Sequence, residues 1–279
     1  RWVVRSIIQN ADLVTRNGSI ERLLQSKGIV VGADTTAECC RGCIVSRHLL
    51  TPLVDNPNHR DNDPATLCDP STGMAGVFPC SNIDLNAHLP VSTFGTSKAS
   101  DVWGWAHSAT GREFAILGLY DGTGFVEITD PSNPIYLGKL PTHTQTSMWR
   151  DIKTYADHAF IVSEAKDHGM QVFDLLSLLT ATPDSTFEET VYYNDGITRI
   201  HNMAINEDSG YAYLLGGSNS CNGGLHIVDI SDPTNPTFAG CFSQDGYTHD
   251  AHCVLYAGPD TRYTGKEICV CSNTDTVTI

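Results

Sequence analysis

The sequence predicts an all-β fold, a β-propeller of four-stranded blades with about four blades visible and the last one incomplete. Three observations predict it. The first is an internal repeat. Residues 225–230 (LHIVDI), followed by the turn DPTNP at 232–236, have a close copy in 124–129 (GFVEIT) and DPSNP at 130–134. Looser copies stand at 170–175 (MQVFDL) and 276–279 (TVTI), so the acidic station falls on Glu127, Asp174, Asp229 and Thr278, at spacings of 47, 55 and 49. Periods of this length mark solenoids, propellers or arrays. The second is an independent period in the strands that open each unit. A polar station recurs at Asp101, Asp151, Asn202 and Asp250, spaced 50, 51 and 48. The third is the grammar within a unit, clearest at 201–206, 211–215, 225–230 and 236–242. Four short β-rich runs joined by tight turns make a propeller blade. The alternation excludes a helical repeat, and a sandwich would leave the periodic sequence unexplained.

Composition narrows the class. The 279 residues carry 17 Lys plus Arg against 32 Asp plus Glu, a formal charge of −15, which argues against a nucleic-acid partner, whose phosphates need a basic surface. The apolar and charged fractions are those of a globular protein. No run approaches the roughly 20 apolar residues of a membrane helix, so no membrane span is expected. Ten cysteines point to an oxidising compartment, and hence to an extracellular or cell-surface protein. The chain opens at Arg1 without an initiator Met, as a secreted chain does once its signal is removed, or as one whose beginning lies further upstream. Asn17, in Asn17-Gly18-Ser19, is an N-glycosylation acceptor. Asn219 has only the rare Cys variant of that motif, and Asn235 is disqualified by Pro236.

In chain order, residues 1–67 form an N-terminal extension without the repeat. Residues 2–4, 6–8 and 28–32 are expected as strands, and 19–27 (SIERLLQSK) as a short helix stopped by Gly28. Cys39, Cys40 and Cys43 cluster within five residues. Their spacing matches no standard zinc finger, which favours disulfides over a metal. Residues 51–80 are rich in Pro, Asn, Asp and Gly and read as an irregular connection. The acidic run at 55–63 lacks the spacing of a calcium loop. Residues 68–279 are the propeller domain. Within it, 82–90 (NIDLNAHLP) alternates polar and apolar, as a half-buried strand does. It resembles 136–141 (YLGKLP), an outermost-strand sequence, so it is a candidate to complete the last blade.

Several motifs taken together resemble a known family. They are Trp149-Arg150-Asp151-Ile152-Lys153 with 158–164 (HAFIVSE), His201-Asn202, and Tyr247-Thr248-His249-Asp250, joined by 73–76 (GMAG), 78–80 (FPC) and 92–95 (STFG). This stretch, roughly 68–279, resembles the choice-of-anchor B family of LVIVD-repeat proteins; residues 1–67 do not. The resemblance implies a β-propeller on a secreted or surface-held protein. It brings no agreed catalytic activity, so it assigns no catalytic residue. Family members run on through further blades, whereas the fourth unit here ends at Ile279, one strand short. Three readings stand: the 83–89 strand completes the fourth blade, a neighbouring molecule supplies the strand, or the chain continues.

Spacing suggests three local disulfides, Cys68–Cys80, Cys221–Cys241 and Cys253–Cys269. It leaves Cys271 to pair with Cys39, Cys40 or Cys43 in the same chain or another. The one polar constellation is the set at the strand openings: Arg150, Asp151, His201, Asn202, His249, Asp250 and His252. These residues fit a divalent metal or acid–base work, yet a polar station repeated in every unit is better explained by hydrogen bonds that tie one blade to the next. Trp103, Trp105 and Trp149 flank the same stations, as core or as a sugar-stacking surface. No GxSxG elbow, P-loop, HExxH or dinucleotide fingerprint appears. The expectation is a non-enzymatic extracellular scaffold without a cofactor. Its partners would be copies of itself, in an oligomer or filament, or surface proteins and glycans. The competing reading is a secreted enzyme or metal-dependent binder using the histidines.

Overall fold

Successive side chains of a strand point to opposite faces, so a strand with apolar residues at every position must be covered on both sides. The strands 114–119, 159–162 and 212–215 are of that kind, and the fold covers them by packing sheet on sheet. The computed structural model describes residues 65–279. Within it, four main, largely antiparallel sheets follow one another in sequence, beside two small two-stranded ones. The first sheet takes Ala99–Ala106, Glu113–Leu119, Gly122–Glu127 and Ile135–Pro141; the second takes Arg150–Tyr155, His158–Ser163, Met170–Asp174 and Val191–Tyr193. The third takes Asn202–Asn206, Tyr211–Leu215, Leu225–Asp229 and Thr237–Phe242; the fourth takes Thr248–Leu255, Glu267–Asn273 and Val277–Thr278. Among the described residues helix is confined to two 3-10 segments, Val91–Phe94 and Leu175–Thr180. The cluster Cys39, Cys40 and Cys43, the sequon at Asn17, the acidic run at 55–63 and the helix expected over 19–27 all lie outside the described residues.

Alternation assigns each face. In the first sheet Phe114, Ile116, Phe125 and Leu137 point one way, into a core shared with Ile152, Ala159, Ile161 and Phe173 of the second. Phe160, Val162 and Val172 of the second sheet point the other way and meet Ala212, Leu214 and Val228 of the third. Tyr213, Leu215 and Ile227 then meet Cys253, Cys269 and Cys271 of the fourth. The opening strands pack in the same order, first on second, second on third, third on fourth. Among the described residues no comparable packing joins the fourth opening strand back to the first, so the sheets form an arc and closure into a ring is not seen.

The repeat is exact enough to recur in turn and bulge. Asp130 and Asp232 each accept a hydrogen bond on the side chain from the residue two ahead, Ser132 N and Thr234 N, both at 3.0 Å. Their carbonyls accept from Asn133 N and Asn235 N. Beyond each turn the register slips at the same place, opposite Gly138 in the first sheet and beside Gly240 in the third. The second unit departs from this plan. Its third strand runs into the Leu175–Thr180 segment, capped by Asp174 accepting from Leu176 N at 2.9 Å. The chain then crosses back, and Ser185–Thr186 adds to Ile135–Pro141 as a parallel fifth strand of the first sheet. Phe187 follows it into the core, ring to ring with Phe125 and Phe173.

Residues 82–90 behave differently from the expectation. They form no sheet strand, and Leu85 makes only an isolated bridge to Thr66. Ile83 is exposed, while Leu89 and Phe94 pack on the outward face of the first sheet, against Leu119, Val126 and Tyr136. The alternation was real, but its apolar side covers the start of the arc and completes no blade at its end. The three local disulfides expected from spacing form: Cys68–Cys80, Cys221–Cys241 and Cys253–Cys269. Cys271 is a buried free thiol.

Candidate functional site

The polar stations of the opening strands lie where one sheet meets the next, and the first three reach forward. Asp101 Oδ2 accepts from Ile152 N of the second sheet at 3.0 Å, and Asp151 Oδ2 accepts from Met203 N of the third at 2.6 Å. Asn202, which carries a donor, reverses the polarity and gives its Nδ2–H to His249 O of the fourth at 3.3 Å. Each latch supplies a partner to a main-chain group that strand pairing within its own sheet leaves unmatched. Lys153 Nζ donates to Asp151 Oδ1 at 2.6 Å. Burial, and then the charge of Asp151, push the Asp101 carboxyl up to about 7. In the fourth sheet Asp250 Oδ1 accepts from Ala251 N of its own strand. His252 sits opposite Val270 and is exposed.

The remaining members of the set separate into two groups. Arg150 is buried, giving its Nε–H to Leu119 O at 2.8 Å and an Nη1–H to His168 Nε2 at 2.9 Å. His168 Nδ1 lies 3.1 Å from Gly169 O, so the proton sits on Nδ1 and Nε2 is free to accept. Burial, reinforced by Arg150, pulls His168 down to about 4, and burial pulls Arg150 down to about 10. Sequence patterning missed His168, because it lies in a loop after 158–164 with no counterpart in the other units. In this pair Arg150 Nη2 is buried with no protein partner, and the Gln171 side chain lies against His168.

His201 and His249 form the second group, and it reaches the surface. Their Nε2 atoms are 3.0 Å apart and their ring centroids 4.5 Å apart. Nδ1 of His201 is held by the Glu164 carboxylate. Glu164 N donates to Trp149 O, and Tyr247 lies 6.3 Å from the His201 ring. Trp149 and Tyr247 are exposed. Trp103 and Trp105 turn inward instead, donating through their indole N–H to Thr154 Oγ1 at 3.1 Å and Asp157 Oδ1 at 3.0 Å. Among the described residues no three His, Cys, Asp or Glu side chains converge as a metal cluster. Five of the seven polar candidates are therefore three different things: inter-sheet latches (Asp151, Asn202), one partner of a buried Arg–His pair (Arg150), and an imidazole pair that reaches the surface (His201, His249), while Asp250 and His252 stay within the fourth sheet.

A cavity of about 430 Å3 opens between the outer parts of the third and fourth sheets, lined by Tyr211, Tyr213, Ile227, Phe242 and Ile268 with Glu267. Glu267 Oε1 accepts from Asn206 Nδ2 at 2.6 Å and from Ser209 Oγ at 3.1 Å. Its carboxylate also accepts from Tyr213 OH, whose pKa is pushed upward by burial first and by this carboxylate second. Glu267 thus ties the hairpin of the third sheet to the fourth.

A family profile described as the LVIVD repeat matches residues 209–243, which span the last three strands of the third sheet. Comparison with curated proteins finds none that matches.

Proposed function

We propose that the chain is a non-enzymatic extracellular structural module of the β-propeller kind, of the type found in choice-of-anchor B proteins, that works by holding to a second copy of itself. The observation that carries this reading is the fate of the polar stations. Asp101, Asp151 and Asn202 spend their side chains on main-chain groups of the next sheet, which is a structural use repeated along the arc. Three disulfides and the LVIVD match support an oxidising, surface-exposed setting.

The contact surface in this reading is the outward face of the fourth sheet. Val254 and Val270 point away from the third sheet and are 40% and 43% exposed. The first sheet has no equivalent bare face, because Leu89 and Phe94 occupy it. A head-to-tail stack would need two complementary bare faces, and only one is present among the described residues. The same face meeting itself gives an isologous, closed pair. Val254→Asp and Val270→Asp test this in the full chain. Wild type is expected to shift from monomer to dimer as concentration rises in sedimentation velocity, and each variant to stay monomeric with unchanged melting. A wild-type chain that stays monomeric throughout, or variants that dimerise as it does, would sink the assembly.

A further inference from the structure

We propose that His201 and His249 form a two-imidazole site for a divalent late transition metal such as zinc or copper, with Glu164 as the positioning residue. This is independent of the assembly through the fourth sheet. The argument starts from protons. The Glu164 carboxylate at Nδ1 of His201 is an acceptor only, so it fixes the proton on Nδ1 and leaves the lone pair on Nε2. That lone pair faces Nε2 of His249 at 3.0 Å.

Two arrangements bring imidazole nitrogens that close, a shared proton and a shared ion, and the 3.0 Å separation suits both. In a straight N–H···N hydrogen bond the two ring axes run nearly in line. Adding about 1.15 Å from each nitrogen to its ring centre would then place the centroids roughly 5.3 Å apart. The centroids stand 4.5 Å apart with the rings inclined at 55°, so the rings lean off the N···N line, as two imidazoles sharing one ion would. An ion about 2.05 Å from each nitrogen, the usual metal–imidazole distance, subtends roughly 94° across that separation. That angle lies near the roughly 90° between adjacent ligands of tetragonal copper(II) and below the tetrahedral angle that zinc prefers. It also places the centroids at about 4.7 Å, close to the observed value.

The surroundings suit an ion. A carboxylate on the far nitrogen is the usual partner of a metal-bound histidine, fixing the tautomer and raising basicity. The main chain behind His249 is held by Asn202, so the ligand is anchored from the neighbouring sheet. Imidazole pairs favour copper, nickel and zinc over calcium and magnesium. His249 and nearby Tyr247 are exposed, so solvent can reach the pair.

The test is titration of the full oxidised chain with Zn(II) and separately with Cu(II), followed by calorimetry and, for copper, electron paramagnetic resonance. Wild type is expected to take up one equivalent that His249→Ala lacks, with two imidazole nitrogens in the copper signal. Glu164→Gln is expected to weaken that uptake about 10- to 100-fold. His249 is exposed, so its variant should keep the fold, and equal melting of wild type and variant without metal checks that it does. No uptake by wild type overturns the proposal. So does uptake that His249→Ala leaves undiminished, because the ion would then sit on the cysteines or on other histidines.

Discussion

Asp101 shows how much a single station depends on what faces it. Its oxygen holds Ile152 N, yet it is buried beside a second carboxylate, Asp151, whose own charge is answered by Lys153. The folded chain therefore keeps a proton on Asp101 to about pH 7, whereas the unfolded chain releases it near 3.8. Wherever the folded state binds more protons, stability falls as pH rises. The contribution of Asp101 is complete below about pH 4 and is lost as pH climbs through 7. His168 has the opposite sign: its folded value is drawn down to about 4, so its contribution is present above about 6.5 and lost as pH falls toward 4. Between pH 6.5 and 8 the two separate, and only Asp101 acts. Asp101→Asn keeps an acceptor for Ile152 N and removes the titration. Differential scanning calorimetry from pH 6.5 to 8 should show wild type losing melting temperature across that window while the variant stays flat. Parallel slopes would show that Asp101 is ionised throughout.

At the scale of elements, the crossing strap Ser185–Thr186 depends on one glycine. Gly138 has φ of +139°, and a Cβ there would lie 1.9 Å from Ser185 O. Gly240, at the same station of the third sheet, has no strap over it, and its added Cβ would meet only Ile227 Cδ1 at 3.6 Å. The same substitution at equivalent bulges should therefore give different results. Gly138→Ala is expected to cost about 2–4 kcal/mol in chemical denaturation, as strain and displaced packing do, and to open residues 181–190 to limited proteolysis. Gly240→Ala should stay within about 1 kcal/mol. Equal losses would mean that the strap adds nothing. This pair also marks what the residues disclosed in advance. The Asp-Pro turns are legible because repeats 1 and 3 carry the same residues at the same offsets, whereas the bulges beyond them were found only in the structure. The strap was not legible either, since residues 181–190 (ATPDSTFEET) show neither alternation nor repeat. The stretch 82–90 misled for a related reason: alternation reports that one side is apolar without naming what that side meets, and Leu89 meets the first sheet. Likewise the recurrence of Asp101, Asp151 and Asn202 pointed to their shared latch role, whereas Glu164 and His168, which occur in one unit each, gave no periodic signal.

Across the whole described unit, stability is built by two different means. The core between the first and second sheets is large and aromatic, with Trp105, Phe114, Phe125 and Phe173, and neither sheet contains a disulfide. The core between the third and fourth is smaller, and two of its five fully buried members, Cys253 and Cys271, are cysteines. There the links Cys221–Cys241 and Cys253–Cys269 close loops of 20 and 16 residues. In the chain-entropy view each such link is worth about 3 kcal/mol by restricting the unfolded chain. A later sheet packed on one neighbour only, with its other face bare, has less apolar burial to replace that loss. Reduction should then act unevenly. Hydrogen exchange read by mass spectrometry in native buffer with dithiothreitol should show amides of Leu225–Asp229, Thr248–Leu255 and Glu267–Asn273 losing protection first. Those of Glu113–Leu119, His158–Ser163 and Met170–Asp174 should keep most of theirs, as separate cooperative units do. If all sheets lost protection together, the arc would be one cooperative block. The aromatic core of the first two sheets could not then stand without the disulfides of the last two.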